Sequence, residues 1–192
     1  MKIAITGGIG SGKSFVCKEL NRHGIEVYDC DAAAKRLMRE DEALQHSLMR
    51  LVGDDVYVGH VLQKPILAKY LLASEVHKQA VNDIVHPAVA RDFEQSGIDW
   101  LESAILFDSG FIHRTHFDFV VCVSAPIEVR VARVMQRDHI SREKTLEWIE
   151  AQLPQEEIIR QSDFEIRNDG QNNIASQVNL LIASIKEKLN NK

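Results

Sequence analysis

The sequence predicts an α/β fold in which a parallel sheet is flanked by helices. Three observations carry this expectation. Short apolar runs of strand length alternate with helix-like segments along the chain. A glycine-rich loop follows the first run and opens into a helix-like segment, as at the edge of an open parallel sheet. Two later runs, Ala104–Phe107 and Phe119–Val123, are continuously apolar rather than alternating, as in strands buried on both faces.

Taken in order, Lys2–Thr6 reads as the first strand, followed by the loop and a helix to about His23. Gly24 ends that helix, and Ile25–Tyr28 reads as a second strand. Ala32–Met38, Glu42–Leu51, Pro65–Leu72 and Val76–Val85 read as helices, the last interrupted at His86-Pro87, where proline removes a backbone donor and His86 is expected to be exposed. No convincing buried strand falls between about 31 and 95, so this region reads as a helical insertion. After the two apolar strands, Pro126 suits the first turn of a helix over Glu128–Arg137, and Ser141 is a candidate cap for another through Gln152. Pro154 opens a further helix, Phe164–Ile166 is a short strand before the turn Asn168-Asp169-Gly170, and Ile174–Leu189 is amphipathic, with Ile174, Val178, Leu181, Ile182 and Ile185 on its apolar side.

Composition narrows the function. A net charge of −5 over 192 residues argues against wrapping nucleic acid. No apolar run reaches membrane-spanning length, and the immediate entry into a strand leaves no room for a signal peptide, so a cytoplasmic location is expected. Cys17, Cys30 and Cys122 lack C-x-x-C spacing and read as free thiols. His113 and His116 read as surface residues without further metal ligands.

Gly7-Gly-Ile-Gly-Ser-Gly-Lys-Ser14 matches G-x-x-x-x-G-K-[ST]. Glycines let backbone N–H groups close around a polyphosphate, and the following helix turns its positive end toward the same group. Lys13 reads as an exposed loop charge that reaches the outer phosphates, and the Ser14 hydroxyl as a ligand for Mg²⁺. The site therefore reads as one for a nucleoside triphosphate. Asp29 and Asp31 follow the second strand, where carboxylates either orient an acceptor hydroxyl or cap the helix at Ala32. Arg130, Arg133, Arg137 and Arg142 suit charge spread over a transferring phosphoryl group, or a solvated helix face paired with Glu128 and Glu143. Arg130 reads as solvated and Arg137 as the functional member. Ala104–Asp108 has the form of a hydrophobic strand whose terminal Asp holds Mg²⁺.

Together, Thr6–Ser14, Asp29-Cys30-Asp31, Leu62-Gln63-Lys64, Ile84–Pro87, Ile105–Asp108, Arg133–Asp138, Gln152 and Asp163–Gly170 resemble the dephospho-CoA kinases almost end to end. The resemblance implies a three-layer P-loop fold like that of nucleoside-monophosphate kinases. Its core would span about 1–30, 96–136 and 161–192, with a helical substrate subdomain at about 31–95 and a lid at about 137–160. It implies transfer of the ATP γ-phosphate to the ribose 3′-hydroxyl of dephospho-CoA. ATP would be held by Gly8, Gly10, Ser11, Gly12, Lys13, Ser14 and Phe15, with Asn168 framing the adenine and Mg²⁺ on Ser14. Lys13, Asp31, Asp29 and Arg137 would be catalytic, Asp31 being the base or hydroxyl-orienting group. Asp31, Lys64, His86 and Asp108 would contact the acceptor. Three positions depart from the family pattern: Phe15 stands for Thr, Asp108 for Glu, and Lys64 for Arg, which loses bidentate phosphate binding. A kinase of a nucleoside monophosphate or small metabolite is the alternative activity, and a non-catalytic ATP-binding module the alternative class. No N-K-x-D motif favours a GTPase.

Overall fold

The computed structural model describes residues 1–190. They divide into two compact units: Met1–Tyr28 with Ile98–Ile112 and the chain from His116 onward, and Asp29–Gly97 with His113–Thr115.

The first unit carries most of a five-stranded sheet. Its strands are β1 (Ile3–Thr6), β2 (Val27–Asp29), β5 (Trp100–Glu102), β6 (Phe119–Ser124) and β7 (Phe164–Arg167), in the order β2-β5-β1-β6-β7. β1 pairs in parallel with β5 and β6, and β6 with β7. Helices α1 (Lys13–Arg22), α6 (Ile127–Asp138), α7 (Arg142–Glu150), α8 (Gln155–Arg160) and α9 (Ile174–Asn190) complete the unit. Ile3 and Ile5 of β1, Val121 and Val123 of β6 and Ile166 of β7 cluster with Val16 and Leu20 of α1 and Val178, Leu181 and Ile185 of α9. On each helix these residues recur at helical spacing, so one stripe enters the core. Each such side chain contributes about 1.5–3 kcal/mol by leaving water.

The strand beside β1 lies earlier in sequence than expected. Trp100–Glu102 pairs with β1, and Ser103 N–H donates to Ile5 O at 2.9 Å, whereas residues 104–110 form turns closed by Ser109 N–H to Ile105 O at 3.0 Å and Gly110 N–H to Phe107 O at 2.9 Å. The run Ala104–Phe107 is apolar because Leu106 is wholly buried within that turn. A short apolar run does not by itself distinguish a buried strand from a buried turn.

The second unit is helical: α2 (Cys30–Glu40), α3 (Glu42–Val52), α4 (Lys64–Ala73) and α5 (Glu75–Ser96), with a small antiparallel hairpin of β3 (Tyr57–Val58) and β4 (Val61–Leu62) that the sequence did not announce. Leu37, Leu44, Leu48, Leu67, Val85, Val89 and Phe93 form its buried interior. Tyr57 O–H donates to Met38 O at 2.7 Å, and Arg36 pairs with Asp92 at 2.5 Å. α5 runs unbroken through Pro87, contrary to the expected interruption, and His86 is half-buried rather than exposed. Proline inside a helix costs about 3 kcal/mol. Burial of Val85, Val89 and Phe93 on both sides of it offsets that cost.

Candidate active site

The loop between β1 and α1 is shaped by its glycines. Gly12, at φ 91°, caps α1 without any side-chain hydrogen bond, and a Cβ there would lie 2.1 Å from Asn168 Nδ2. At Gly7, φ 143°, a Cβ would meet Val123 O at 2.2 Å. Only glycine combines these dihedrals with so close an approach. In the first turn of α1 the Phe15 N–H donates to Gly12 O at 3.0 Å, while the N–H groups before it lie ahead of any intrahelical acceptor, which makes this helix end a site for an anion.

The outward carbonyls of the loop are gripped from behind. Arg130 Nε donates to Ile9 O at 2.9 Å, Arg133 Nη1 to Gly10 O at 3.3 Å and Ser11 O at 3.2 Å, and Asn168 Nδ2 to Ser11 O at 2.9 Å. Arg133 Nη2 also donates to Asn168 Oδ1 at 3.2 Å, tying the two braces together. Ile9 N–H donates to Gln152 Oε1 at 2.7 Å, so both polar groups of residue 9 are fixed by side chains distant in sequence. Asn168 is delivered by β7, and its own N–H donates to Ser124 O at 2.8 Å.

This arrangement reverses the reading of the arginine cluster. Arg130, expected to be a solvated helix residue, is only 5% exposed and lies against the loop. It shares the buried stripe of α6 with Val131 and Val134, a position that the count of arginines alone conceals. Burial pulls its guanidinium below the ordinary range, and the Glu156 carboxylate partly opposes that. Arg137 is exposed and makes a bidentate pair with its neighbour Asp138 at 2.7 and 2.9 Å, which raises its pKa further. Arg142 pairs with Glu128 at 2.7 and 2.8 Å, as a helix-face arginine would.

Lys13 is likewise not the exposed charge expected. It is 9% exposed, donates from Nζ to Gly7 O at 2.8 Å, and lies 3.8 Å from Glu102 Oε1. Glu102 ends β5, the strand next to β1, and the expected strand at Ala104–Phe107 hides its carboxylate from the sequence. Ser14 and Phe15, in the first turn of α1, are exposed, and Ser11 Oγ is buried without a hydrogen-bond partner. Asp108 lies in the turn after β5, not at a strand end, and accepts from Leu153 N–H at 3.1 Å. His113 and His116 are exposed; among the described residues no group of three or more His, Cys, Asp or Glu could hold a metal, and Cys17, Cys30 and Cys122 form no disulfide.

In the helical unit, the two aspartates divide their roles. Asp29 Oδ1 accepts from Ala32 N–H at 2.9 Å and caps α2. Asp31 stands exposed in the first turn of the same helix. His86 lies within electrostatic reach of it. Burial and the Arg114 guanidinium lower the His86 pKa, and the Asp83 and Asp31 carboxylates oppose that shift. Arg114 is held to Asp83 at 3.0 Å. Lys64 is exposed at the start of α4, preceding Pro65 in the first turn.

A family model described as dephospho-CoA kinase matches residues 1–173. A dephospho-CoA kinase of Bacteroides fragilis is 40% identical, over 98% of this chain and 95% of its own. The crystal structure of TT1252 from Thermus thermophilus superposes with a TM-score of 0.80 at 34% identity, over 97% of each chain. A shikimate kinase from Acinetobacter baumannii, at 17% identity and a TM-score of 0.54 over 96% of this chain and 94% of its own, shares the fold alone. No helix among the described residues is long and apolar enough to cross a membrane. A chain matched over nearly its whole length by this family model and by a curated relative belongs to the dephospho-CoA kinase family, whose members are ATP-dependent kinases.

Proposed function

We propose that the chain transfers the γ-phosphate of ATP to the ribose 3′-hydroxyl of dephospho-CoA, with Lys13 and the loop holding the donor and Asp31 handling the acceptor. The bracing of the loop carries this reading. Arg130, Arg133 and Asn168 occupy the carbonyls of Ile9, Gly10 and Ser11 from outside, leaving N–H groups at the start of α1 for phosphate oxygens. Donors fixed before the reaction do not need to reorganise as charge develops. Gly8, Gly10, Ser11, Gly12 and Phe15 would frame the donor, and Asn168, which braces Ser11 O, would frame the adenine.

Mg²⁺ suits the oxygen donors present. The exposed Ser14 hydroxyl and the Glu102 carboxylate are hard ligands of the kind the ion prefers, and the remaining positions would go to water and phosphate. When bound, the ion neutralises charge on the phosphoryl oxygens. Lys13 then meets the outer phosphates, exchanging its contact with Gly7 O for the substrate's oxygen.

On the acceptor side, Asp31 accepts or orients the proton of the attacking hydroxyl. Asp29 supports it by starting α2 through its cap, so the Asp31 carboxylate is free of that duty. His86, held toward its neutral form by burial and Arg114, contributes a ring nitrogen to the acceptor rather than a second positive charge. Lys64 supplies a point charge for a phosphate, and Asp108 holds the segment after α7 through Leu153 N–H. Arg137 lies at the end of α6, where a lid over about 137–160 begins, and would leave Asp138 to meet the transferring group.

The test is Asp31→Asn. Asparagine keeps size and hydrogen bonding but removes the charge. Turnover with dephospho-CoA should fall about 10²-fold or more, with ATP affinity by calorimetry and melting temperature unchanged. Wild-type turnover in this variant would remove Asp31 from the mechanism.

A further inference from the structure

One donor of the phosphate loop is occupied by a side chain. Ile9 N–H donates to Gln152 Oε1 at 2.7 Å, whereas Arg130, Arg133 and Asn168 all hold carbonyls of the loop. A Cβ at Gly8 would lie 2.3 Å from Arg130 Nη2 and 3.2 Å from Gln152 Oε1, so the two side chains close on the loop together. Gln152 belongs to the short link between α7 and α8, and that link is itself pinned. Gln152 N–H donates to Ile149 O at 3.2 Å, and Ile149 is buried. The next residue, Leu153, donates its N–H to Asp108 Oδ2 at 3.1 Å. Beyond Pro154, Gln155 Oε1 accepts from Ala125 N–H at 3.0 Å. Neighbouring residues of one link thus reach the phosphate loop and the turn after β5. From this we infer that Gln152 is a positioning residue for the nucleotide, acting through Ile9, and that Asp108 serves the same donor side through Leu153 and Gln152. The inference rests on the reading of the loop as the ATP site.

The loop needs such a brace at Ile9 because glycines stand on both sides of it. Gly8 and Gly10 restrain their backbone dihedrals least, so the two peptides of Ile9 would otherwise rotate freely. Gln152 fixes the peptide between Gly8 and Ile9, and Arg130 fixes the one between Ile9 and Gly10. A neutral amide oxygen does this without setting a negative charge beside a polyphosphate. Asp108 controls the aim of Gln152 because consecutive Cα atoms stand only about 3.8 Å apart. Its carboxylate is exposed, so its bond to Leu153 contributes less than the part-buried bond from Ile9 to Gln152.

The experiment compares wild type with Gln152→Met, Gln152→Glu, Asp108→Ala and the double variant Gln152→Met with Asp108→Ala. Methionine keeps the length of glutamine and removes the strong acceptor, whereas glutamate keeps an acceptor at the same reach. The Kd for ATP by calorimetry, the melting temperature and the exchange rate of the Ile9 amide by NMR are measured for each. The Kd should rise on the order of tenfold in Gln152→Met and about threefold in Asp108→Ala, with the melting temperatures unchanged. The double variant should bind no worse than Gln152→Met alone, because Asp108 acts through Gln152. The Ile9 amide should stay protected in wild type and Gln152→Glu and exchange rapidly in Gln152→Met. An unmoved Kd in Gln152→Met, or protection of Ile9 that survives there, would overturn the role of Gln152. An unmoved Kd in Asp108→Ala, or a rise of about thirtyfold in the double variant as for independent residues, would overturn the coupling. Wild type that binds no ATP would overturn the reading of the loop itself, and the inference with it.

Discussion

Around the phosphate loop of the first unit, charged and polar side chains are bound to backbone: Arg130 to Ile9, Arg133 to Gly10 and Ser11, Asn168 to Ser11, Gln152 to Ile9. In the helical unit the residues of functional type, Asp31 and Lys64, stand exposed at helix starts. Under the proposed function the contrast matches what each would bind. A polyphosphate presents a compact array of charge and is met by donors locked in advance. A long flexible acceptor with one reacting hydroxyl would be met by separate charges, each worth less because water screens it. Substitutions in the two regions should therefore fail differently, through loop geometry in the first and through single contacts in the second.

The largest effect is expected at Lys13. Lys13→Ala should lower turnover about 10²-fold or more. Because Lys13 is buried and its ammonium is bonded to Gly7 O, the change also removes a buried hydrogen bond, so the melting temperature should drop. Near-normal turnover in folded Lys13→Ala would break the comparison at its strongest point.

Next come Arg130 and Arg137, two arginines of one helix. Arg130→Ala leaves Ile9 O without its donor in a buried setting and should cost about 1–3 kcal/mol of stability together with a raised KM for ATP. Arg137→Ala should leave the melting temperature within a degree or two, since its pair with Asp138 is exposed. It should lower turnover more than it raises either KM if the side chain meets charge only during transfer. Equal stability losses in the two variants would show that burial does not separate them.

The smallest effect concerns the thiols. Burial, with the Glu165 carboxylate adding to it, pushes the Cys122 thiol up to about 12. Alkylation near pH 8 should label half-buried Cys17 and spare Cys122 in the folded protein, read by mass spectrometry of peptides. A thiol held neutral in the fold contributes fully below its unfolded pKa, and that contribution is lost as pH rises toward about 12. Labelling of Cys122 at the rate of Cys17 would contradict its place inside the sheet.

These residues also show what the sequence could reveal. The loop was legible because its requirements are local: glycine at positive φ, Lys and Ser at set places, a helix directly after. Ser141 as a cap was legible for the same reason, and so was a cap from the Asp29 and Asp31 pair, although which of the two caps was not. Glu102 was not, because an apolar turn containing Leu106 imitates a strand and displaced the expected strand end. Arg130 was misjudged because its burial is created by the fold, which sets α6 over the loop, and composition does not record it. The same holds for Pro87, where tertiary packing of Val85, Val89 and Phe93 prevails over local helix-breaking preference.

The central claim is tested most directly by the product. The purified chain, incubated with ATP, Mg²⁺ and dephospho-CoA, or with a nucleoside monophosphate in its place, should phosphorylate dephospho-CoA far faster. Mass spectrometry should show one added phosphoryl group with ADP released in equal amount, and phosphorus NMR should place that group on the ribose 3′-oxygen. ADP release without a phosphorylated acceptor, or faster transfer to the monophosphate, would contradict the account.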